Sequence, residues 1–241
     1  MQETRIYNKI TDINSDDVKE FYEKKSKANL LNAVFLNDRL DTKSHNLRNE
    51  REKEELISFL DNKKYNVLDI GCGGGRFVDN IFNYIEKYDG IDFCSNFINL
   101  AHKKYKNFKN INFYLLKAPD LDLNLLNPPY NLIIMCGICM YMNDDDLSIL
   151  YGTINKLINK GAKIYLQETI STINQRLTLK NFYSDELKTN YSAIYRTQEE
   201  YINLINSSLE NLKLIKKECI LTKQTGLRKE TNSCCFCFER V

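Results

Sequence analysis

The chain has 241 residues, of which 43% are hydrophobic and 27% charged, a composition typical of a folded globular domain. Its formal net charge of +2 is too small to attract a polyanion by a broad positive electrostatic field, so we expect no nucleic-acid partner. The first residues, MQETRIYNKI, lack the apolar core of a signal peptide, and the longest nearly apolar run, Leu132 to Met142, is too short to span a bilayer. We therefore expect a cytoplasmic protein without a membrane partner, whose eight cysteines are reduced thiols.

Residues 11–60 are polar and rich in helix formers, within a predicted N-terminal segment of residues 1–60. Ser15, Asp16 and Asp17 are typical of a helix start before VKEFYEKKSKA, and RNEREKEELISFL predicts a second helix. This segment predicts an N-terminal helical extension, or lid, ahead of the main domain.

From Tyr65 onwards, short apolar runs alternate with helical patterns. The runs YNVLDI, YDGID, INFYLL, NLIIMC and AKIYLQE predict strands, and FVDNIFNYIEKY, SNFINLAHKKY and DDDLSILYGTINKLINK predict helices. This alternation indicates a mostly parallel sheet with helices on both faces. The last two runs, LKLIKKECIL and NSCCFCFER, have no helix between them and predict an antiparallel edge pair. We expect the main domain to cover residues 61–241.

A long segment, residues 169–197, follows the fifth predicted strand. It far exceeds the few residues usual in a strand-to-helix connection. An insertion at the carboxyl end of a parallel strand lies where an acceptor-side lid would be. A surface subdomain whose tyrosines pack on one another is the alternative.

The strongest chemical signal is VLDIGCGGGRF, which places Asp69, Gly71, Gly73 and Gly75 at the junction of the first strand and helix. A dinucleotide-binding loop, as in an oxidoreductase, would need a glycine at the position of Arg76. An acidic strand end also disfavours a pyrophosphate, but it suits the ammonium and sulfonium groups of S-adenosylmethionine.

Asp92 ends the second predicted strand, about twenty residues beyond the glycine loop. A carboxylate at that position can accept hydrogen bonds from both hydroxyls of a ribose. The alternative is a solvated aspartate that caps the following helix.

With these residues in place, the sequence resembles the class I S-adenosylmethionine-dependent methyltransferases over roughly residues 60–241, most closely in VLDIGCGGGRF and GIDFCSNFINLA. The resemblance implies an α/β Rossmann-like fold, with a seven-stranded mostly parallel sheet, an antiparallel last strand and helices on both faces. It implies an enzyme with S-adenosyl-L-methionine as cofactor and S-adenosyl-L-homocysteine as product. The cofactor-binding residues that it implies are Asp69, Gly71, Cys72, Gly73, Gly75, Asp92, Phe93, Ala118, Pro119, Cys136 and Ile138.

One position departs from the family pattern. The stretch LLKAPDL, after the third strand, often has an aspartate that binds the adenine amino group, and here Lys117 stands at that place. A lysine cannot accept that hydrogen bond. We expect adenine recognition from the backbone at Ala118, or from Asp120.

A narrower resemblance lies in VKEFYEKKS, RNEREKE, GICMYMNDDDL and YSAIYRTQEEY. These stretches are similar to small-molecule methyltransferases associated with bacterial capsule and surface-polysaccharide gene clusters. The resemblance implies O-methylation of a capsule precursor, on a sugar hydroxyl or a phosphoramidate-type group. The alternatives are N-methylation of an amino sugar or other small amine, and a catalytically silent cofactor-binding subunit.

The letters NPPY, residues 127–130, match a motif of DNA amino-methyltransferases, where the motif follows the fourth strand. Here they precede the strand NLIIMC, whereas ligands of an open α/β sheet bind beyond the carboxyl ends of its strands. Paired prolines that enter a strand predict an ordinary loop.

The stretch that does follow the fourth strand, CGICMY, contains no histidine, and the two histidines of the chain, His45 and His102, lie elsewhere. No metal site is expected, because no second CxxC or nearby histidine completes the pair of Cys136 and Cys139. Glu168 could act as a base, and Arg196 could hold a phosphate or carboxylate with its guanidinium. The candidates for acceptor contact or catalysis are Tyr141, Glu168, Tyr191, Tyr195 and Arg196.

Overall fold

A seven-stranded sheet forms the centre of the computed structural model, which describes residues 4–28, 42–185, 187–220 and 229–241. Its strand order is β4-β3-β2-β5-β6-β10-β9. The strands are β2 (Tyr65–Ile70), β3 (Ile85–Asp92), β4 (Ile111–Leu115), β5 (Tyr130–Cys136), β6 (Ile158–Ser171), β9 (Leu212–Cys219) and β10 (Thr231–Arg240). The five strands β2 to β6 are parallel to one another, and β10 is antiparallel to both of its neighbours. The predicted Rossmann-like sheet with an antiparallel last strand is confirmed.

Helices cover both faces of the sheet. The helices of the described residues are α1 (Ser15–Ala28), α2 (Thr42–Phe59), α3 (Arg76–Ile81), α4 (Ser95–Tyr105), α5 (Asp144–Leu157) and α6 (Gln198–Ser208). Successive residues of a strand point to opposite faces, and accordingly the neighbours Val67 and Leu68 of β2 belong to two different buried clusters. Helix α5 packs in the cluster of Leu68, and α3 and α4 pack in that of Val67. None of the described helices is both long and apolar enough to cross a bilayer.

The helix expected over FVDNIFNYIEKY is shorter than predicted. Helix α3 ends at Ile81, a 3-10 turn spans Phe82–Tyr84, and β3 begins at Ile85. Ile85 and Tyr88 are buried, and Tyr88 pairs with Val67 of β2. The pairing with β2 and β4 therefore overrides the helical spacing of these apolar residues.

The insertion after β6 is a β-hairpin of β7 (Leu177–Ser184) and β8 (Thr189–Tyr195). Strand β1 (Arg5–Tyr7) pairs with β7 and completes a three-stranded antiparallel sheet. Residues of β7 and β8 share a buried cluster with Val18 and Phe21 of α1 and with Tyr141. The N-terminal segment and the insertion thus pack together, next to the loop that follows β5.

Residues 127–129 of the NPPY stretch lie in a loop that enters β5 at Tyr130, at the amino end of the strand, as predicted. The hydroxyl of Tyr130 donates a hydrogen bond of 2.6 Å to the buried carboxylate of Asp89. The side-chain amide of Asn127 donates to the same oxygen at 3.2 Å. Because Tyr130 is the first residue of β5, these contacts organise the amino end of the strand.

The expectation of eight reduced cysteines is wrong for two of them. A disulfide joins Cys219 and Cys234, which face each other in the register of β9 and β10. The other six cysteines are free. Residue spacing did not predict the pair, because register between antiparallel strands brings it together across 15 residues of chain.

Candidate active site

The glycine loop connects β2 to α3 at the carboxyl edge of the sheet. Gly71 has a φ of 78°, and a Cβ atom on it would lie 2.0 Å from Cγ2 of Ile138. A residue without a side chain is therefore required, so that the loop can pass the segment after β5. The backbone N–H of Gly73 donates to Oδ2 of Asp92 at 2.9 Å, which fastens the loop to the end of β3.

Gly75 serves packing. It has a φ of 80°, and an added Cβ would lie 2.6 Å from Cε2 of Tyr105. The hydroxyl of Tyr105 donates a hydrogen bond to the carbonyl of Gly75 at 2.8 Å. Gly75 does not line the cavity beside the loop, although Gly71, Gly73 and Gly74 do.

A cavity lies between the glycine loop, the carboxyl ends of β3, β4 and β5, and the first two helices. Ten of the sequence-predicted site residues line it: Gly71, Cys72, Gly73, Asp92, Phe93, Ala118, Pro119, Cys136, Ile138 and Tyr141. Helices α1 and α2 add a wall that the sequence did not assign: Ser15, Val18, Lys19, Tyr22, Arg48 and Glu52.

Asp92 presents its carboxylate to this cavity from the end of β3. Oδ1 accepts from the N–H of Cys94 at 2.8 Å, and Oδ2 accepts from Gly73. Burial raises the pKa of Asp92 to about 6. Each carboxylate oxygen can accept two hydrogen bonds, so Asp92 keeps acceptor capacity for a ligand in the cavity.

Asp69 lies beneath the glycine loop and does not line the cavity. Its carboxylate is fully buried and accepts a hydrogen bond from the hydroxyl of Tyr88. Its other oxygen, Oδ1, has no hydrogen-bond partner among the described residues. Burial raises the pKa of Asp69 to about 7, so the group is partly protonated at neutral pH.

A buried charge cluster connects α2 to the glycine loop. Glu52, which is 1% exposed, pairs with Arg48 on its own helix and with Arg76 at the start of α3. Burial would raise the pKa of Glu52, but the guanidinium groups of Arg76 and Arg48 lower it to about 2. Arg76 also donates to the amide of Asn49 at 3.0 Å and to Sγ of Cys136 at 3.4 Å.

Helix α1 covers the opposite side of the cavity. The ring of Tyr22 meets Phe93 edge-on at a centroid distance of 5.9 Å and meets Tyr141 at 5.4 Å. The adjacent Glu23 accepts hydrogen bonds from the N–H of Ser95 at 3.0 Å and from the side chain of Asn96 at 3.1 Å. Glu23 thereby fixes α1 to the first turn of α4.

The predicted tyrosines form a chain of phenols. The hydroxyl of Tyr191 lies 3.1 Å from that of Tyr141 and 3.1 Å from that of Tyr195. Only Tyr141 faces the large cavity, and Tyr191 lines a small adjacent one with Phe21 and Asn190. Burial raises the pKa of Tyr141 and of Tyr191 well above the usual value, so both phenols stay neutral.

The structure places Glu168 behind the cavity. Its carboxylate is fully buried and accepts from the backbone N–H groups of Ile138 at 2.9 Å, Cys139 at 2.8 Å and Met140 at 3.3 Å. Burial raises the pKa of Glu168 to about 7. The side chain holds the loop that carries Tyr141.

Arg196 is likewise fully buried and lies outside the cavity. It donates to the carbonyls of Cys139 at 2.9 Å and Met142 at 2.7 Å and pairs with Asp144 at 2.6 Å. Its donors are therefore used within the protein and are not directed at an acceptor. Tyr195, four per cent exposed, also lies outside both cavities.

Lys117 lines the cavity, but its ammonium group donates to the hydroxyl of Ser15 at 2.9 Å. The backbone neighbour Ala118 and the carboxylate of Asp120 line the same cavity. The two places from which the sequence predicted adenine recognition are thus both available. His102 is exposed on α4, and the side chain of His45 lies outside the described part of the structure.

The residues that line the cavity fit S-adenosylmethionine. The carboxylate of Asp92 suits ribose hydroxyls, and the apolar side chains of Phe93, Ala118 and Pro119 suit an adenine ring. Arg48, at the other side of the glycine loop, could pair with the carboxylate of the methionine part. Sequence reasoning missed Arg48 and Tyr22, because only the fold brings α1 and α2 over the loop.

Part of the chain matches a known family of domains. A family model described as a methyltransferase domain matches residues 68–164. The chain is 22% identical over 242 residues to phosphoethanolamine N-methyltransferase 1 of Triticum aestivum. The alignment covers 99% of this chain and 47% of that protein. The chain thus spans about half the length of the curated relatives it matches.

Solved structures agree on the fold. A S-adenosylmethionine-dependent methyltransferase of Leishmania major superposes with a TM-score of 0.70 at 16% identity, covering 93% of this chain and 82% of that one. Phosphoethanolamine N-methyltransferase 1 of Haemonchus contortus, solved with phosphoethanolamine and S-adenosylhomocysteine, gives 0.71 at 18% identity, covering 94% and 49%. The match and the glycine loop within it show that residues 68–164 are similar to a methyltransferase domain, and the solved structures show that the chain has the fold of S-adenosylmethionine-dependent methyltransferases.

Proposed function

We propose that the protein transfers the methyl group of S-adenosylmethionine to a small phosphorylated acceptor, whose reacting atom needs no deprotonation by the protein. The observation that carries this proposal is the state of the groups around Tyr141. The phenols of Tyr141 and Tyr191 are neutral, and both oxygens of Glu168 accept hydrogen bonds from backbone N–H groups. The two phenols are uncharged and Glu168 does not line the cavity, so none of these three side chains presents a basic atom to a ligand there.

When bound, the cofactor supplies an electrophilic methyl group and a thioether leaving group. The residues of this chain would align the reactants and exclude water. Asp92 would hold the ribose, Arg48 the methionine carboxylate, and Phe93 one face of the adenine. Tyr22 and Tyr141, packed edge-on, would form the wall against which the acceptor atom approaches the methyl group.

An anionic oxygen is the first candidate for the reacting atom. A phosphoryl or phosphoramidate-type oxygen already carries its charge, so a base adds nothing to its attack on the methyl group. Such an acceptor would be a cytoplasmic precursor of a capsule or surface polysaccharide. In this proposal, residues 1–60 and 169–197 form the acceptor-side cover of the methyltransferase domain.

An amine nitrogen is the second candidate, favoured by the relatives. The proteins of Triticum aestivum and Haemonchus contortus both bear the name phosphoethanolamine N-methyltransferase. A neutral amine also attacks without a base in the protein, once its proton has passed to water. Both candidates are small molecules that bear phosphorus.

The test is incubation of the protein with methyl-labelled cofactor and a panel of phosphoramidate, phosphoethanolamine, ethanolamine and glucosamine. We expect label in the phosphorylated compounds alone, and nuclear magnetic resonance of the product separates an O-methyl from an N-methyl group. Label in glucosamine hydroxyls would contradict the proposal. So would a loss of kcat with unchanged KM in the Asp146→Asn variant, because Asp146 also lines the cavity and would then be acting as a base.

A further inference from the structure

Lys117 comes directly after β4, at the carboxyl edge of the sheet where Asp92 also lies. Its side chain crosses the mouth of the cavity, so that its ammonium group donates to Oγ of Ser15, the first residue of α1, at 2.9 Å. A lysine that departs from the family pattern therefore connects the sheet edge to the helix that covers the site.

The inner face of α1 brings a second ammonium group to the same cavity. Ser15, Val18, Lys19 and Tyr22 have the spacing of one helical face, and all four line the cavity. Lys19 lies one turn beyond Ser15, and Lys117 reaches Ser15 from the opposite wall. The hydroxyl of Ser15 accepts from Lys117, which leaves its own proton available for a ligand.

Neither lysine forms an ion pair among the described residues, although several other lysines of the chain do so with neighbouring carboxylates. Both side chains are exposed at the mouth of the cavity. The carboxylates of Asp120, Asp146 and Asp92 line the same cavity, so its ligand meets both signs of charge. The nearest hydrogen-bond partner of the Lys117 ammonium is a neutral hydroxyl.

We propose that Lys19, Lys117 and Ser15 form the binding site for the phosphoryl group of the acceptor. Two ammonium groups and a hydroxyl supply charge-assisted and neutral donors to three phosphoryl oxygens. The proposal rests on the proposed function, because a phosphorylated acceptor must share the cavity with the cofactor. The carboxylates that line the cavity suit the amino group or the hydroxyl groups that such an acceptor carries beside its phosphorus.

Titration calorimetry with inorganic phosphate at pH 8 tests the site, on the full chain saturated with S-adenosylhomocysteine. We expect saturable binding by the native protein. The Lys117→Gln and Lys19→Gln variants should each bind phosphate at least about tenfold more weakly, because each loses one charge-assisted hydrogen bond. Lys103→Gln is the matched control, since Lys103 is exposed on α4 and does not line the cavity.

Weakening confined to the two cavity lysines supports the site. An absence of saturable binding, or equal weakening in all three variants, overturns it. Melting temperatures of the variants report whether each one is folded.

The same variants separate this site from the proposed function. If phosphate binding depends on Lys19 and Lys117 but no phosphorylated acceptor is methylated, the site stands and the proposed function fails. If phosphoethanolamine or phosphoramidate is methylated while Lys117→Gln and Lys19→Gln leave its KM unchanged, the function stands and the site is overturned.

Discussion

Asp92 is the last residue of β3 and Asp69 the last but one of the neighbouring β2, yet their carboxylates face different surroundings. Asp92 accepts from two backbone N–H groups and lines the cavity. Asp69 is enclosed below the glycine loop and has one hydroxyl as hydrogen-bond donor. The first residue can therefore bind a ligand directly, and the second affects the ligand through the loop above it.

Replacing Asp92 by Ala should reduce the affinity for S-adenosylmethionine at least about tenfold. The change removes two charge-assisted hydrogen bonds to the ribose, each worth roughly 1.5–3 kcal/mol. Calorimetry measures the affinity, and Asp79→Ala, on the outer side of α3, is the control. Equal affinity in the native protein and in Asp92→Ala would refute the ribose assignment.

Asp69 should make the free energy of unfolding fall as the pH rises from about 4 to about 7. Its pKa in the folded protein is about 7, against a usual value of 3.8, so the folded state retains a proton that the unfolded state loses. The stability that this proton confers is complete below pH 3.8 and is lost as the pH rises through the folded pKa. The slope from one such group is at most about 1.4 kcal/mol per pH unit.

Urea titrations of the native protein and of Asp69→Asn between pH 4 and pH 8 measure this slope. The asparagine can still accept the hydrogen bond from Tyr88 but does not titrate. The slope should be smaller in Asp69→Asn, whereas Asp92 and Glu168, whose pKa values are also raised, continue to contribute in both proteins. Identical slopes would mean that Asp69 does not carry a raised pKa.

At the scale of single residues, the sequence predicted the location of those site residues that are placed by their own loop or strand end. Gly71 and Asp92 sit in a loop and at a strand end that the alternating pattern located. Glu168 and Arg196 were predicted to face an acceptor, but the structure uses them to hold the loop after β5. Whether a polar side chain turns to a cavity or inward depends on backbone groups from distant elements, which no local pattern reveals.

Among the elements, α1 depends on Glu23 for its position. This carboxylate accepts from the backbone and hydroxyl of Ser95 and from Asn96, all at the start of α4. Helix α1 has few apolar residues of its own, and packing rather than propensity keeps a 14-residue helix ordered.

Glu23→Ala should therefore increase hydrogen exchange of the α1 amides, because the helix loses its polar attachment to α4. Mass spectrometry of peptides from α1 measures the exchange. Glu20→Ala is the matched control, since Glu20 lies on the same helix and pairs with the exposed Lys24 of that helix. Equal exchange in both variants would show that Glu23 does not hold the helix.

The connection from β8 to the loop after β5 depends on Arg196. Its guanidinium binds Asp144 and two carbonyls, so Arg196→Ala leaves several buried or half-buried acceptors without a donor. We expect a loss of about 3 kcal/mol in the free energy of unfolding, the usual cost of breaking a buried ion pair. Urea titration measures it, with Arg240→Ala, which binds Asn155 in another part of the fold, for comparison. A loss below about 1 kcal/mol would contradict the assigned role.

The elements themselves could largely be predicted, and their boundaries less so. The pattern over residues 77–88 predicts a single helix, but β3 begins at Ile85 because its pairing with β2 buries Tyr88. Strand β1 could not be predicted, since its three residues, RIY, become a strand only by pairing with β7. The disulfide between Cys219 and Cys234 depends in the same way on the register of β9 and β10.

In the whole molecule, distant parts of the chain meet around the site. Strand β1 pairs with the insertion after β6, and Arg5 forms an ion pair with Glu230 just before β10. Helices α1 and α2 close the cavity from above, with Tyr22 and Arg48 as their contributions. A truncation of the N-terminal segment would therefore remove one wall of the site as well as one strand of the small sheet.

The central claim is that this cavity brings the cofactor and a phosphorylated acceptor together for methyl transfer. A single-turnover experiment with methyl-labelled S-adenosylmethionine tests it most directly, with phosphoramidate and phosphoethanolamine as acceptors and ethanolamine as the unphosphorylated control. The account predicts label in a phosphorylated acceptor, in an amount equal to the cofactor consumed, and none in ethanolamine. Transfer to ethanolamine at the same rate, or no transfer to either phosphorylated compound, would contradict it.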